Sequence, residues 1–275
     1  MAKIKITKKD LKEDGLRTWG YETYEWIKNN KTFLTIVLTV FFVSLIGIKI
    51  FQFRNESITK QANFLYKMAL ESYYRASMLT EPEKKSERDS LFEETIKNAN
   101  AMINTFPKHP LTHATLMMKG NILYYKNSFD EAATVFKKAI ETARDNREKA
   151  EALVGLGYAY ENKHFFTNDL PALNLAEQSY TKAIELGMGT EIEYEAMLCK
   201  GRILEQKMQN AEAIKLYETI IAKSKEITSK DSKYFKPGTW QYNLLQRYND
   251  FNTVFSFAKD AEFALYRLKG SEGGS

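Results

Sequence analysis

The feature that most constrains this chain is an uncharged apolar run, Thr32 to Ile48, near the start of a 275-residue sequence. It reads TFLTIVLTVFFVSLIGI, and beyond a lone Lys49 it continues through Ile50, Phe51 and Phe53. A helix rises about 1.5 Å per residue, so some 20 apolar residues cross a hydrocarbon layer of about 30 Å. No other segment is long and apolar enough for this. The run therefore predicts a transmembrane helix over 32–53, with the working part of the chain outside the bilayer.

A cleaved signal peptide needs a short basic start, a shorter apolar stretch and a small-x-small cleavage site. Here 31 residues come first, and the run is followed by Lys49-Ile-Phe-Gln-Phe-Arg54 with no small pair to cut. A buried core helix needs a second apolar element to cover it, and the chain has none. Lys3, Lys5, Lys8, Lys9, Lys12, Arg17, Lys28 and Lys31 precede the run, against Arg54, Lys60 and Lys67 over a similar reach after it. Basic residues stay on the cytoplasmic side. Residues 1–31 are thus expected to be a cytoplasmic basic segment and 54–268 an extracytoplasmic domain. Trp19, Tyr21, Tyr24 and Trp26 lie where rings with a polar edge favour the headgroup layer.

Charge placement narrows the partners. The net +5 is concentrated before residue 54, and the remainder carries 31 Lys/Arg against 30 Asp/Glu. A near-balanced domain lacks the basic face that neutralises phosphates, which argues against nucleic acid. Cys199 is the single cysteine, so no intrachain disulfide can form, and it reads as a small buried residue.

Beyond the run, apolar residues recur three or four apart, with no sustained alternation that would indicate strands. A repeat is visible. Leu116, Gly120 and Leu123 precede Phe129, Ala132, Phe136 and Ala139. Leu153, Leu156, Gly157 and Tyr160 precede Ala176, Tyr180 and Ala183. Met197, Gly201 and Leu204 precede Ala213, Tyr217 and Ile220. The glycines stand 37 and 44 residues apart, the middle copy carrying a seven-residue insertion around His164 to Pro171 that reads as an exposed loop. The small pairs Gly120/Ala132, Gly157/Ala176 and Gly201/Ala213 let two antiparallel helices approach. The rings Phe136, Tyr180 and Tyr217 fill the gap to the next pair. One pair cannot bury its apolar face, so pairs stack.

These residues resemble the tetratricopeptide repeat, departing from it at Lys119 and Lys200, at Ile220, and in lacking its terminal proline. The expected fold is all-α: an N-terminal transmembrane helix, then a tetratricopeptide-like solenoid of helical pairs. Matched repeats span 112–222. A stalk and degenerate copy span 54–107, with helices over 57–79 and 91–106 and no Gly or Pro between Gly47 and Pro82 to interrupt the first. Capping helices follow over 239–268, after Pro237-Gly238, and the tail 269–275 is expected to be flexible.

Chemistry is hard to find. His109 and His113 have metal-like spacing, but Pro110 interrupts them and no Cys or Glu joins them. There is no phosphate loop and no nucleophile elbow. Carboxylates follow helix faces beside lysines, as from Asp130 to Lys137. No enzyme, cofactor, metal or small-molecule substrate is expected. The repeat resemblance instead implies a concave protein-binding strip on the first helices: Asn121, Tyr124 and Tyr125; Tyr158, Glu161 and Asn162; Arg202, Glu205 and Gln206. Some of these tyrosines could equally pack against neighbouring pairs.

The layout, with Ile6 to Leu16 and the aromatics before the run, also resembles bacterial single-pass repeat proteins related to the ancillary subunit of the Sec translocon. That resemblance implies an inner-membrane anchor, a periplasmic repeat domain, and translocon or chaperone partners in protein export. The alternative is a structural subunit of an envelope machine, such as a secretion apparatus or a flagellar-motor periplasmic collar.

Overall fold

The computed structural model describes residues 8–228 and 250–272, with side chains over 18–226 and 256–269. Pro237-Gly238, the expected capping segment from Trp240 through Tyr248, and the last three residues lie outside the described part. So do the side chains of Phe251, Phe255 and the basic residues up to Arg17. The described residues form helices joined by short turns, and no strand. The chain divides into two units, with the boundary after Lys60.

The first unit holds α1 (Lys8–Asn29) and the beginning of α2 (Lys31–Met78). At their junction the Asn30 N–H donates to the Trp26 carbonyl at 3.0 Å and the Leu34 N–H to the Asn30 carbonyl at 2.9 Å. α2 is the one described helix long and apolar enough to cross a membrane, and none of its apolar window is buried. Its rings and branched side chains from Phe33 to Phe53 are exposed, except the half-buried Leu34. A soluble core helix would be covered. Three hydroxyls within the run are satisfied without water: Thr35 donates to the Lys31 carbonyl at 2.9 Å, Thr39 to Thr35 at 2.7 Å and Ser44 to Val40 at 2.8 Å. Such i−4 bonds let Ser and Thr enter hydrocarbon without an orphaned donor. The first part of α2 is a candidate membrane anchor.

The second unit is a stack of helix pairs. The last turns of α2 bury Ala62, Ala69, Ser72 and Ala76. α3 (Lys85–Thr105) follows a short 3₁₀ turn at Pro82–Lys84. Thr95 donates to the Ser72 hydroxyl at 3.0 Å, tying α3 to α2. Three further pairs follow: α4 (Thr112–Tyr125) with α5 (Phe129–Thr142), α6 (Asn146–Thr167) with α7 (Leu170–Leu186), and α8 (Glu191–Gln206) with α9 (Asn210–Thr228). α10 (Asp250–Glu272) packs on α9 and α8 and includes the first residues of the expected flexible tail. α4, α6 and α8 each pack on their own partner and on the second helix of the pair before. This is the tetratricopeptide-like arrangement.

The glycine notches explain the close approach. A Cβ on Gly120 would stand 2.6 Å from the Phe136 ring, and a Cβ on Gly155 of the next pair would stand 2.6 Å from the same ring. Phe136 is thus held between two notches. Gly157 receives Tyr180 and Gly201 receives Tyr217 in the same way, more closely still. All three rings are buried to within about 1%. A side chain at any of these glycines would occupy space the ring already fills.

The insertion in the middle pair is not a loop. It extends α6 to Thr167, and the chain reverses over two residues. Asn168 closes α6 in the left-handed region at φ 55°, and Asp169 caps α7 by accepting from the Ala172 N–H at 3.1 Å. Pro171 then sits in the first turn of α7, where its missing N–H costs nothing.

Candidate protein-interaction face

The nine residues expected on the concave strip all lie on, or in the last turn of, the first helices α4, α6 and α8. They stand in three rows, four, five and one residue beyond each notch glycine. The structure sorts them by what already holds them.

Asn121, Tyr125 and Gln206 are exposed. The Tyr125 ring lies 5.3 Å from Phe92, with the Arg88 guanidinium 4.9 Å from its centroid. The remaining six are tied to one another or to neighbouring helices. The Tyr124 hydroxyl accepts from Asn162 Nδ2 at 2.8 Å, joining α4 to α6. The Tyr158 hydroxyl donates to Glu195 Oε1 at 2.9 Å on α8 and accepts from the Cys199 thiol at 3.3 Å.

Glu161 is buried. Its Oε2 accepts from the Tyr180 hydroxyl at 2.7 Å and from Arg202 at 3.1 Å, and its Oε1 accepts from Arg202 Nε at 3.2 Å. Glu205 repeats the pattern: Oε1 accepts from the Tyr217 hydroxyl at 2.7 Å, and Oε2 accepts from Arg267 on α10. Two Tyr–Glu–Arg locks therefore span three helices each. A buried carboxylate is tolerated only when its oxygens are satisfied in this way.

The locks have a sequence signature that the strip alone did not reveal. The residue four beyond the notch glycine is Tyr124, Glu161 or Glu205, and the ring entering that notch is Phe136, Tyr180 or Tyr217. A glutamate at the first position accompanies a tyrosine at the second. In the first pair both are replaced together, so no acceptor is left without a donor.

Burial shapes the titration of this network. It pushes the Tyr180 and Tyr217 hydroxyls above the ordinary phenol range, and the neighbouring glutamates add to this. It raises Tyr158 likewise. The Cys199 thiol, buried against Tyr158, is pushed up to about 11. A thiol held protonated at neutral pH is a weak nucleophile and a poor metal ligand.

Sequence reasoning also missed a run of rings beside the strip. Tyr180, Tyr158, Tyr124, Phe129 and Phe166 follow one another with centroids 5.5–6.2 Å apart. The run climbs from a fully buried ring to Phe166 and Phe165, which are 61% and 78% exposed on the last turns of α6.

His109 and His113 do not converge. His109 Nδ1 accepts from the Leu111 N–H at 3.2 Å ahead of α4, whereas His113 is buried with Nδ1 2.9 Å from the Ala139 carbonyl. A carbonyl only accepts, so that nitrogen carries the proton. Among the described residues no group of three His, Cys, Asp or Glu side chains is placed to hold a metal ion.

No family model matches the chain, and no curated protein matches it. Among solved structures, the crystal structure of MamA aligns over 70% of this chain and 98% of MamA, at 17% identity and a TM-score of 0.40.

Proposed function

We propose that this chain is a membrane-anchored protein-interaction scaffold without catalytic activity. α2 holds it in a bacterial inner membrane with the N-terminus cytoplasmic, and the stacked pairs bind protein partners in the periplasm. The partners proposed are translocon or chaperone components engaged in protein export. The observation that carries this reading is the sorting of the inner strip. Its charged members Glu161, Arg202 and Glu205 are consumed by internal locks, while Asn121, Tyr125 and Gln206 stay exposed beside them. A rigid surface with exposed tyrosine and amide groups suits protein recognition, because little side-chain freedom is lost on contact. The basic bias before the apolar run supports the orientation.

The test is photo-crosslinking in intact cells from residues 121, 125 and 206, with Lys138 and Lys182 on the second helices as controls. Adducts with export or chaperone components from the inner positions, absent from the controls, support the scaffold. Adducts from the controls alone refute the assigned face. Recovery at fixed stoichiometry in a purified envelope machine would favour the structural-subunit reading, which the paired stack also suits. Alkaline carbonate extraction tests the anchor: release of the intact chain from membranes overturns it.

A further inference from the structure

Most guanidiniums of the helix stack come with a counterion built in. Arg144 lies on Glu148, Arg147 on Glu191, Arg202 on Glu161 and Arg267 on Glu205. Arg88, at the end of the first turn of α3, is half-buried and has none: among the described residues no carboxylate comes within ion-pair distance of it. Glu81 and Glu93, on the same stretch of chain, are bridged to Lys84 and Lys126. Glu87 and Asp89 flank it in sequence, but a helix turns about 100° per residue, so neither shares its face.

What does hold Arg88 leaves part of it open. Nη1 donates to the Leu79 carbonyl at 3.1 Å, just past the end of α2, and the guanidinium carbon stands 4.9 Å from the centroid of the Tyr125 ring. Nε is buried without an acceptor. Nη2 has no described acceptor either, and it is not among the buried atoms, so it meets solvent. A guanidinium carries five donors in a rigid fork that matches a carboxylate. With Nε enclosed, the Nη1–Nη2 edge is the side a carboxylate can reach. A partly desolvated charge without a counterion is unfavourable, and an ionised acceptor at that edge relieves it.

Apolar surface frames the fork. Tyr125 is 49% exposed, and Met78, the residue before Leu79, is 76% exposed. Phe92 and Tyr73 continue from Tyr125 as a row of rings with centroids 5.3 and 6.4 Å apart. Phe92 is buried, so Tyr125 rests on a fixed support and loses little freedom on contact. The later pairs do not repeat the arrangement: the residues equivalent to Tyr125 are Asn162 and Gln206.

We propose that Arg88, with Tyr125 and Met78, is a docking point for a carboxylate that a partner protein carries beside an apolar side chain. This rests on the scaffold reading and names the partner chemistry at the α3–α4 end of the inner strip. The carboxylate is either an internal Asp or Glu or a chain terminus.

The full-length chain in non-ionic detergent is titrated against three decapeptides carrying an uncharged dye, and binding is read by anisotropy. One holds Glu, Leu and Ser with both ends blocked. The second replaces Glu by Lys. The third holds Leu and Ser with a free C-terminal carboxylate. At least one carboxylate peptide should bind tenfold or more tighter than the Lys peptide, and the one that binds tells a side-chain from a terminal source. Arg88→Gln, which keeps a donor toward Leu79, should weaken that binding at least tenfold, and Arg88→Lys should weaken it less. Tyr125→Ser, which leaves the Leu79 bond untouched, should weaken it at least threefold and serves if Arg88→Gln loses helical content. Equal affinity for the Glu and Lys peptides, unchanged affinity in a helical Arg88→Gln or Tyr125→Ser chain, or no binding of either carboxylate peptide up to about 1 mM overturns the proposal. Failure here with crosslinks retained at residues 121 and 206 removes the carboxylate site alone; peptide binding without crosslinks in cells removes the partners assigned above and leaves the site.

Discussion

Gly157→Ala is the sharpest test of how the pairs are held together. In an exposed helix this change stabilises by about 1 kcal/mol, because alanine loses less backbone freedom than glycine. In α6 the new methyl would fall within 3.0 Å of the Tyr180 ring, where ordinary contact begins near 3.4 Å. The ring has no room to retreat. It is fully buried, and its hydroxyl is bound to Glu161 at 2.7 Å. Overpacking of a filled core costs about 1–3 kcal/mol. Set against the propensity gain, the net loss should be about 0–2 kcal/mol, a fall in Tm of up to about 8 °C for a unit of this size. Thermal and urea unfolding followed by circular dichroism would measure it. In a Tyr180→Phe background the ring is released from Glu161 and can slide, so the same substitution should cost about 1 kcal/mol less. A Gly157→Ala chain that melts higher than its parent would refute the wedge and leave only helix propensity.

Three further outcomes follow from the same geometry. Glu161→Gln removes the charge that Arg202 and the Tyr180 hydroxyl converge on, and should destabilise by about 2 kcal/mol in urea, less so when Arg202→Leu is already present. Cys199 should resist alkylation at pH 8 in the folded chain and react on unfolding. Because its folded pKa of about 11 lies above the unfolded value near 9, the folded state retains its proton through that window. Its contribution is therefore complete below pH 9 and lost as pH rises to 11, up to about 3 kcal/mol in all, with Tyr158, Tyr180 and Tyr217 pushing the same way; a flat stability between pH 8 and pH 11 would contradict this. Met208 sits at φ 59° in the turn between α8 and α9, where the equivalent turn uses Asn127 at φ 60°. Met208→Gly should raise stability by up to about 1 kcal/mol, read by the urea midpoint.

The pairs were legible because their cause is local. A notch glycine and the ring that enters it recur at fixed spacing within one copy, and small residues at Ala132, Ala176 and Ala213 confirm the approach. The candidate anchor was legible for the same reason, as a continuous run. The insertion was misread because Asn168 and Asp169 resemble loop residues; they are a helix stop and a helix start placed back to back, and the residues before them continue α6. The inner strip was legible as a set of positions but not as a set of free groups. Glu161 meets Tyr180 and Arg202, 19 and 41 residues away, and Glu205 meets Arg267, 62 residues away. Only the stacking of one pair on the next brings those partners together.

Phe136 differs from Tyr180 and Tyr217 by a single oxygen, and that oxygen decides how each joint is fastened. The later joints are bolted through a carboxylate; the joint between the first and second matched pairs seats a bare ring between two glycines and is fastened instead from Asn162 to Tyr124 and from Lys163 to Asp130.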